Sequence, residues 1–232
     1  LTKIAITGHT SGIGEAVYNM CDLAGPKEDE VIGYSKSNGW NIAEEDGDKI
    51  IAELIEQDPD VLVNNAYYPK IQTKILTTLF EEWKAKPKTI VNVGSIAGYL
   101  PQVTKEKRLN TYGNDKFEQA QFIIRNSFRD GVDCQIRMFN ISFSFVNSPL
   151  LARSVGHALN LEKMIDVMDA AELIIDCIED NSKPYHIVER VVQCKVLTPE
   201  ELVQNFMTGS RNMAKHVIRS DRAIKKANKS ST

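Results

Sequence analysis

Tyr112 and Lys116 stand four residues apart in the run TYGNDKF, a spacing that puts a phenol and an amine on one face of a helix. A free phenol ionises near pH 10 and is a poor acid–base group at neutral pH. A cation on the same helix face, helped by a positively charged bound group, would lower that value toward the working range. Ser95 closes the apolar run TIVNVGS and adds a hydroxyl that can hold a substrate oxygen. Proton transfer to or from that oxygen is the chemistry such a trio supports.

A second pattern says what the trio would work with. Lys3–Gly14 reads KIAITGHTSGIG, a short apolar run followed by Gly8, Gly12 and Gly14. Apolar residues at helical spacing follow: Ile13, Val17, Met20, and Leu23 or Ala24. Strand, glycine turn, helix is the context of a dinucleotide-binding unit. Gly8 permits the sharp turn, Gly12 lets the backbone approach a pyrophosphate, and Gly14 lets helix and strand pack closely. The helix N-terminus offers unpaired N–H groups and a positive dipole end to an anion. Gly8, Thr10, Ser11, Gly12, Ile13 and Gly14 are therefore candidate cofactor-binding residues. With a nicotinamide cofactor in that turn, Ser95, Tyr112 and Lys116 are the minimum equipment for interconverting an alcohol and a carbonyl.

The elements that must position these residues alternate along the chain. Strands are expected at Glu30–Lys36, Asp60–Ala66, Thr89–Ser95, Val132–Ile141 and Tyr185–Lys195. Between them, helices are expected near Glu44–Gln57, Lys70–Lys86, from Tyr112 through Phe128, and over Met164–Ile178. Such alternation implies a parallel sheet with helices on both faces. The end of the second strand meets the adenosine ribose in such folds, and an acidic residue there favours a free 2′-hydroxyl. Ser35 and Lys36 occupy it here and suit a 2′-phosphate, which argues for NADP, with NAD as the alternative. Asn64, Asn65 and Ala66 end the next strand, at the edge where α/β sheets bind ligands.

In these motifs the sequence resembles the short-chain dehydrogenase/reductase family, over about Lys3 to Lys195. TGHTSGIG matches its TGxxxGxG cofactor motif, Asn64-Asn65-Ala66 most of its NNAG motif, Ser95 its catalytic serine and Tyr112–Lys116 its YxxxK motif. The resemblance implies a Rossmann-like, doubly wound, mainly parallel seven-stranded sheet in a single domain over residues 1–197. It implies Tyr112 as general acid/base, Lys116 as the binder of the nicotinamide ribose and depressor of the tyrosine pKa, and Ser95 as the substrate-orienting hydroxyl. Asn41, Ile42, Asn65, Ala66, Val146 and Ser148 join the cofactor-binding candidates. So do Tyr112 and Lys116 themselves. A small carbonyl or alcohol substrate and a homo-oligomer, dimer or tetramer, are implied as well.

Departures from the family pattern fall around the reaction centre. Tyr67 stands in place of the final NNAG glycine, and Phe143-Ser144 in place of a PG pair. The segment from Asn65 to Ser95 is shorter than usual by about one helix. That removes the region where the family carries a further asparagine, to which no residue here corresponds. The loop between Ser95 and Tyr112 is somewhat longer than usual, and HIVERVVQCK lacks the family's glycine-rich final strand end. Tyr67, Tyr68, Tyr99, Phe143 and Phe145 either line an aromatic substrate pocket or pack the core and anchor loops. These departures keep a second reading open, a catalytically weak or inactive NADP-binding module that acts on a partner.

Composition narrows the rest. The 232 residues carry a net charge of −3, which gives no bias toward nucleic acid or membrane. No apolar run approaches the roughly twenty residues that span a bilayer, and no signal-peptide pattern is read. The four cysteines are scattered without a C-x-x-C, as reduced thiols of a cytoplasmic protein would be. The four histidines lack metal-ligand spacing, so no metal is expected. Residues 198–232 read as a C-terminal basic amphipathic helix. Its start, Thr198-Pro199-Glu200-Glu201, has the form of a capping box.

Overall fold

Among the described residues, six short runs rich in apolar side chains become the strands of one parallel sheet, the four inner ones essentially buried and the two edge ones partly exposed. They are β1 (Lys3–Thr7), β2 (Glu30–Tyr34), β3 (Val61–Asn64), β4 (Thr89–Ser95), β5 (Arg137–Phe143) and β6 (Glu189–Val192). Among the described residues, five α-helices alternate with them: α1 (Gly12–Ala24), α2 (Asp48–Gln57), α3 (Ile71–Trp83), α4 (Thr111–Ser127) and α5 (Val167–Glu179). The computed structural model describes residues 2–24, 29–99, 111–127, 134–149, 151, 164–179 and 188–193. The C-terminal helix expected from Thr198 lies outside the described residues.

The strand order is β2-β1-β3-β4-β5-β6, with every neighbouring pair parallel. Alternation along each strand divides the core. Ile4, Ile6, Val61, Val63, Val91, Val93, Phe139 and Ile141 face α1 and α5. Ala5, Leu62, Ile90 and Met138 face α2, α3 and the middle of α4. On α3, Ile75, Leu76, Leu79, Phe80 and Trp83 recur at helical spacing and are all essentially buried. Each such side chain contributes about 1.5–3 kcal/mol relative to exposure, enough to hold α3 against the sheet.

The described residues contain six strands, where seven were expected. After β2 the chain makes short 3-10 turns at Lys36–Asn38 and Glu44–Gly47 before α2, so β2 becomes the outer strand. Asn38 closes its flank: Nδ2 donates to the Gly33 carbonyl at 2.8 Å, and Oδ1 accepts the Ser35 N–H at 2.9 Å. Helix α2 starts four residues later than expected, because Glu44–Gly47 is a 3-10 turn ended by Gly47 at φ 87°. The fifth strand runs to Phe143, two residues beyond its expected end, through pairing with β4 and β6.

Order reverses at β1. The chain goes from β1 outward to β2, then returns to the other side of β1 as β3. Loops at the carboxyl ends of β1 and β3 therefore diverge and leave a crevice, where open α/β sheets bind ligands.

Candidate active site

The crevice is built first by Thr7, the last residue of β1. Its Oγ1 accepts the N–H groups of Asn65 and Ala66, both at 2.9 Å. Asn65 Nδ2 donates back to the Thr7 carbonyl at 2.9 Å. These bonds stitch the glycine turn to the end of β3. Gly8 and Gly12 adopt φ of 74° and 61°, the left-handed region that a side chain disfavours. A Cβ on Gly12 would stand 3.3 Å from Ser148 Cβ, and one on Gly14 would run into the Gly8 carbonyl. The turn is thus bare backbone at the mouth of α1, a cradle that fits a pyrophosphate.

Around it lies a cleft of about 410 Å3. Gly8, Thr10, Ser11, Gly12, Ile13, Ser35, Lys36, Ile42, Asn65, Ala66 and Ser148 all line it. Tyr112, Lys116 and Val146 line a smaller pocket beside it, and two expected residues line neither. Gly14 packs behind the turn against Gly8 and Asn65, and Asn41 turns inward, where Oδ1 accepts the Ala43 N–H at 3.1 Å. Trp40 and Ser37 line the cleft without having been singled out in the sequence. Trp40 meets the Tyr34 ring edge-on at 5.5 Å, and the two place an apolar wall beside Ser35 and Lys36. His9, inside the glycine motif, packs instead on Tyr18 and over Gly33, where a Cβ would collide with its ring.

A smaller pocket of about 100 Å3 adjoins the cleft and shares Ile13, Asn65, Tyr67 and Ser148 with it. Ser95, Tyr112, Lys116 and Val146 line this pocket, with Phe143 and Leu151 as apolar wall. The three residues expected to do the chemistry therefore meet, next to the expected cofactor cleft. Ser95 comes from the end of β4; its Oγ accepts the Ala97 N–H at 3.2 Å. Tyr112 and Lys116 come from the first turns of α4, both buried.

Burial pulls the two titratable groups in opposite directions. It pushes the Tyr112 phenol up to about 12, against a smaller lowering by its hydrogen bond with Ser95. It pulls the Lys116 amine down to about 7, against the raising field of Asp115. Burial therefore outweighs the hydrogen bond that lowers the phenol. Lys116 Nζ lies 5.6 Å from the Tyr112 ring centroid and donates elsewhere, to Gln72 Oε1 and the Val93 carbonyl, each at 2.6 Å.

Two residues of the site, Gln72 and Asp115, carry no signature in the sequence. Gln72, at the second position of α3, receives Lys116 and lies at zero exposure. Asp115 sits inside the YxxxK run and is fully buried. It accepts the Lys70 N–H at 2.9 Å and the Tyr67 hydroxyl at 3.2 Å, and pairs with the Lys70 ammonium at 3.0 Å. Tyr67, pinned this way, meets Tyr112 edge-on at 4.8 Å between centroids. Burial followed by the Asp115 charge holds its phenol well above the ordinary range. Of the other aromatic candidates, Phe143 lines the pocket, while Phe145 is buried and Tyr99 and Tyr68 lie outside its walls.

Comparison with solved structures reveals the same fold in several enzymes. The 3-alpha-hydroxysteroid dehydrogenase from Pseudomonas sp. B-0831, complexed with NADH, superposes with a TM-score of 0.64 at 18% identity, covering 83% of this chain and 95% of that one. A short-chain dehydrogenase/reductase from Vibrio parahaemolyticus gives 0.62 at 18% identity, covering 84% and 98%. A short chain dehydrogenase from Burkholderia cenocepacia J2315, in complex with NADP, gives 0.61 at 13% identity, covering 83% and 96%. No protein-family model matches the sequence, and no curated protein matches it significantly.

Proposed function

We propose that the chain is a member of the short-chain dehydrogenase/reductase family, an NADP(H)-dependent oxidoreductase that interconverts a carbonyl and a secondary alcohol. One observation carries this: the pocket holding Ser95, Tyr112 and Lys116 opens into the glycine-turn cleft through four shared residues. Acid–base group and dinucleotide site are then within reach of one substrate. The fold similarity to dehydrogenases solved with NADH and NADP supports the same reading.

The cleft residues fit the cofactor. Gly8, Gly12 and the first N–H groups of α1 would hold the pyrophosphate, Trp40 and Ile42 would flank the adenosine, and Ser35, Lys36 and Ser37 would meet a 2′-phosphate. When bound, the nicotinamide supplies or accepts the hydride. Ser95 and Tyr112 do the rest on the chain's side. The Ser95 hydroxyl orients the substrate oxygen. In reduction the Tyr112 O–H donates its proton to that oxygen as negative charge develops there; in oxidation the phenolate takes it back. A raised phenol pKa suits the donor role, since Tyr112 carries its proton at neutral pH. Lys116, when charged, favours the phenolate and so eases both directions.

The test is turnover. Purified protein is expected to oxidise NADPH with some member of a broad carbonyl panel, and Tyr112→Phe to lower the rate about 10²–10⁴-fold with NADPH binding unchanged. No NADP(H) binding and no turnover would sink the reading. Lys36→Ala is expected to weaken NADPH binding by roughly tenfold or more and leave NADH binding unchanged, read by isothermal titration.

A second reading is a cofactor-binding module without turnover. It is favoured by one observation, the complete burial of a Lys116 that donates to Gln72 and Val93. Tight NADPH binding with no turnover on any substrate would select it. We assign the protein to the cytoplasm and to a homo-oligomer, with residues 1–197 as its catalytic domain. We assign the basic helix over 198–232 to docking on that domain or on a second subunit. A truncation ending at Lys195 would leave the association state by light scattering unchanged if the helix does not join subunits.

A further inference from the structure

Asn64, Asn92 and Asn140 stand at matched register on β3, β4 and β5, and the row continues into Glu189 on β6. The three asparagines are buried to within one per cent of complete. Four polar side chains across the middle of a sheet are costly unless each is paired. Here they are paired in one direction. Lys116 Nζ donates to Gln72 Oε1 at 2.6 Å. Gln72 Nε2 reaches Asn92 Oδ1 at 3.4 Å, and Asn64 Nδ2 reaches the same oxygen at 3.0 Å. Asn92 Nδ2 donates to Asn140 Oδ1 at 2.7 Å, and Asn140 Nδ2 to Glu189 Oε2 at 2.7 Å.

The two ends determine the sense of the chain. An ammonium only donates and a carboxylate only accepts, so reversing any amide between them would set N–H against N–H or oxygen against oxygen. Each amide dipole therefore points the same way, from a buried cation toward a half-buried anion, along a row of buried amides where such fields are weakly screened.

We propose that Glu189 is a remote positioning residue for the Tyr112–Lys116 pair: through the aligned amides of Asn140, Asn92 and Gln72, its carboxylate holds Lys116 as an ammonium beside the tyrosine. The catalytic consequence rests on the oxidoreductase reading; the coupling between the two charges does not. Among the described residues, the groups facing Lys116 are few. Its own helix contributes Asp115 and Tyr112, the segment after β3 contributes Tyr67, α3 contributes the neutral Gln72, and β4 contributes a carbonyl. Glu189 faces Tyr99 beyond β4 and Ser142 on β5, while its neighbour Arg190 pairs with Asp176 on α5 at 3.7 Å. Burial raises the Glu189 carboxyl, and Asn140, Ser142 and Tyr99 work against that rise by stabilising its ionised form.

Lys116 Nζ donates to the Val93 carbonyl of β4 at 2.6 Å, and two strand spacings, about 10 Å, separate β4 from β6; across such a distance one charge in a protein interior shifts a partner's midpoint by about one pH unit. The test labels the full chain with 13Cε-lysine and assigns Lys116 by its loss in Lys116→Arg. In Glu189→Gln, which keeps the acceptor for Asn140 and removes the charge, the Lys116 midpoint is expected to fall by about one unit. An unchanged midpoint in the folded variant would overturn the proposal. Should the variant not fold, the unaltered protein decides. Its Lys116 signal is expected to show a second inflection at the Glu189 midpoint, followed by 13Cδ-glutamate, and a missing inflection would also overturn it. Where the protein turns over, the alkaline limb of kcat/KM in Glu189→Gln is expected to move down by the same amount as the midpoint. Coupled midpoints in a protein that turns over no carbonyl would uphold this inference and overturn the oxidoreductase reading alone.

Discussion

At the residue scale, the site is shaped by what burial does to one phenol and one amine. Lys116 titrates at about 7 in the folded chain and at its ordinary 10.5 when unfolded. Between those values the unfolded chain binds more protons than the folded one, so this group makes stability rise with pH across that window. Tyr112 acts oppositely, but only between its ordinary 10.0 and about 12. Lys116→Met is therefore expected to flatten the dependence of folding stability on pH between about 7 and 10, measured by urea unfolding, and to be the more stable protein at the acid end. A slope identical to that of the unaltered chain would contradict the burial argument. The shared helix face of Tyr112 and Lys116 was legible from their spacing, and the place of Ser95 from the apolar run it closes. Gln72 and Asp115 were not. Their roles depend on α3 and the segment after β3 packing against α4, contacts between residues more than forty positions apart.

At the element scale, the glycine turn and the end of β3 behave as one unit. Thr7 bonds both chains, and Gly14 leaves room for the turn to fold back on α1. Gly14→Ala is expected to cost about 1–3 kcal/mol in stability, because the intruding methyl meets backbone instead of a movable side chain. NADPH binding is expected to weaken by at least tenfold, more than in Gly39→Ala, whose Cβ would meet nothing within 4 Å but whose φ of 90° strains any side chain. Calorimetry on both variants separates a packing effect at the turn from backbone strain elsewhere. Strand and helix positions were legible here because each apolar run has the period of its element. Their ends were less so: a 3-10 turn at Glu44–Gly47 has the composition of a helix start, and only its hydrogen bonding tells it apart.

At the scale of the whole molecule, the parallel order and the crevice at β1/β3 follow from strand–helix alternation, which the sequence displays plainly. The seventh strand that the resemblance implied has no counterpart among the described residues, where the short link from β2 to α2 that carries Asn41-Ile42 runs through 3-10 turns. That link has a further consequence. With β2 outermost, its free flank is a template on which another chain could add a strand, and so a route to aggregation. Asn38 blocks it by imitation: its single amide gives one donor and one acceptor to Gly33 and Ser35, the two bonds a neighbouring strand would make. Asn38→Leu is expected to leave the fold intact and raise concentration-dependent association, seen by light scattering. Because Asn38 also closes the Ser35–Lys36–Ser37 corner, the device that keeps the β2 edges of two copies from pairing would also shape where a cofactor phosphate sits.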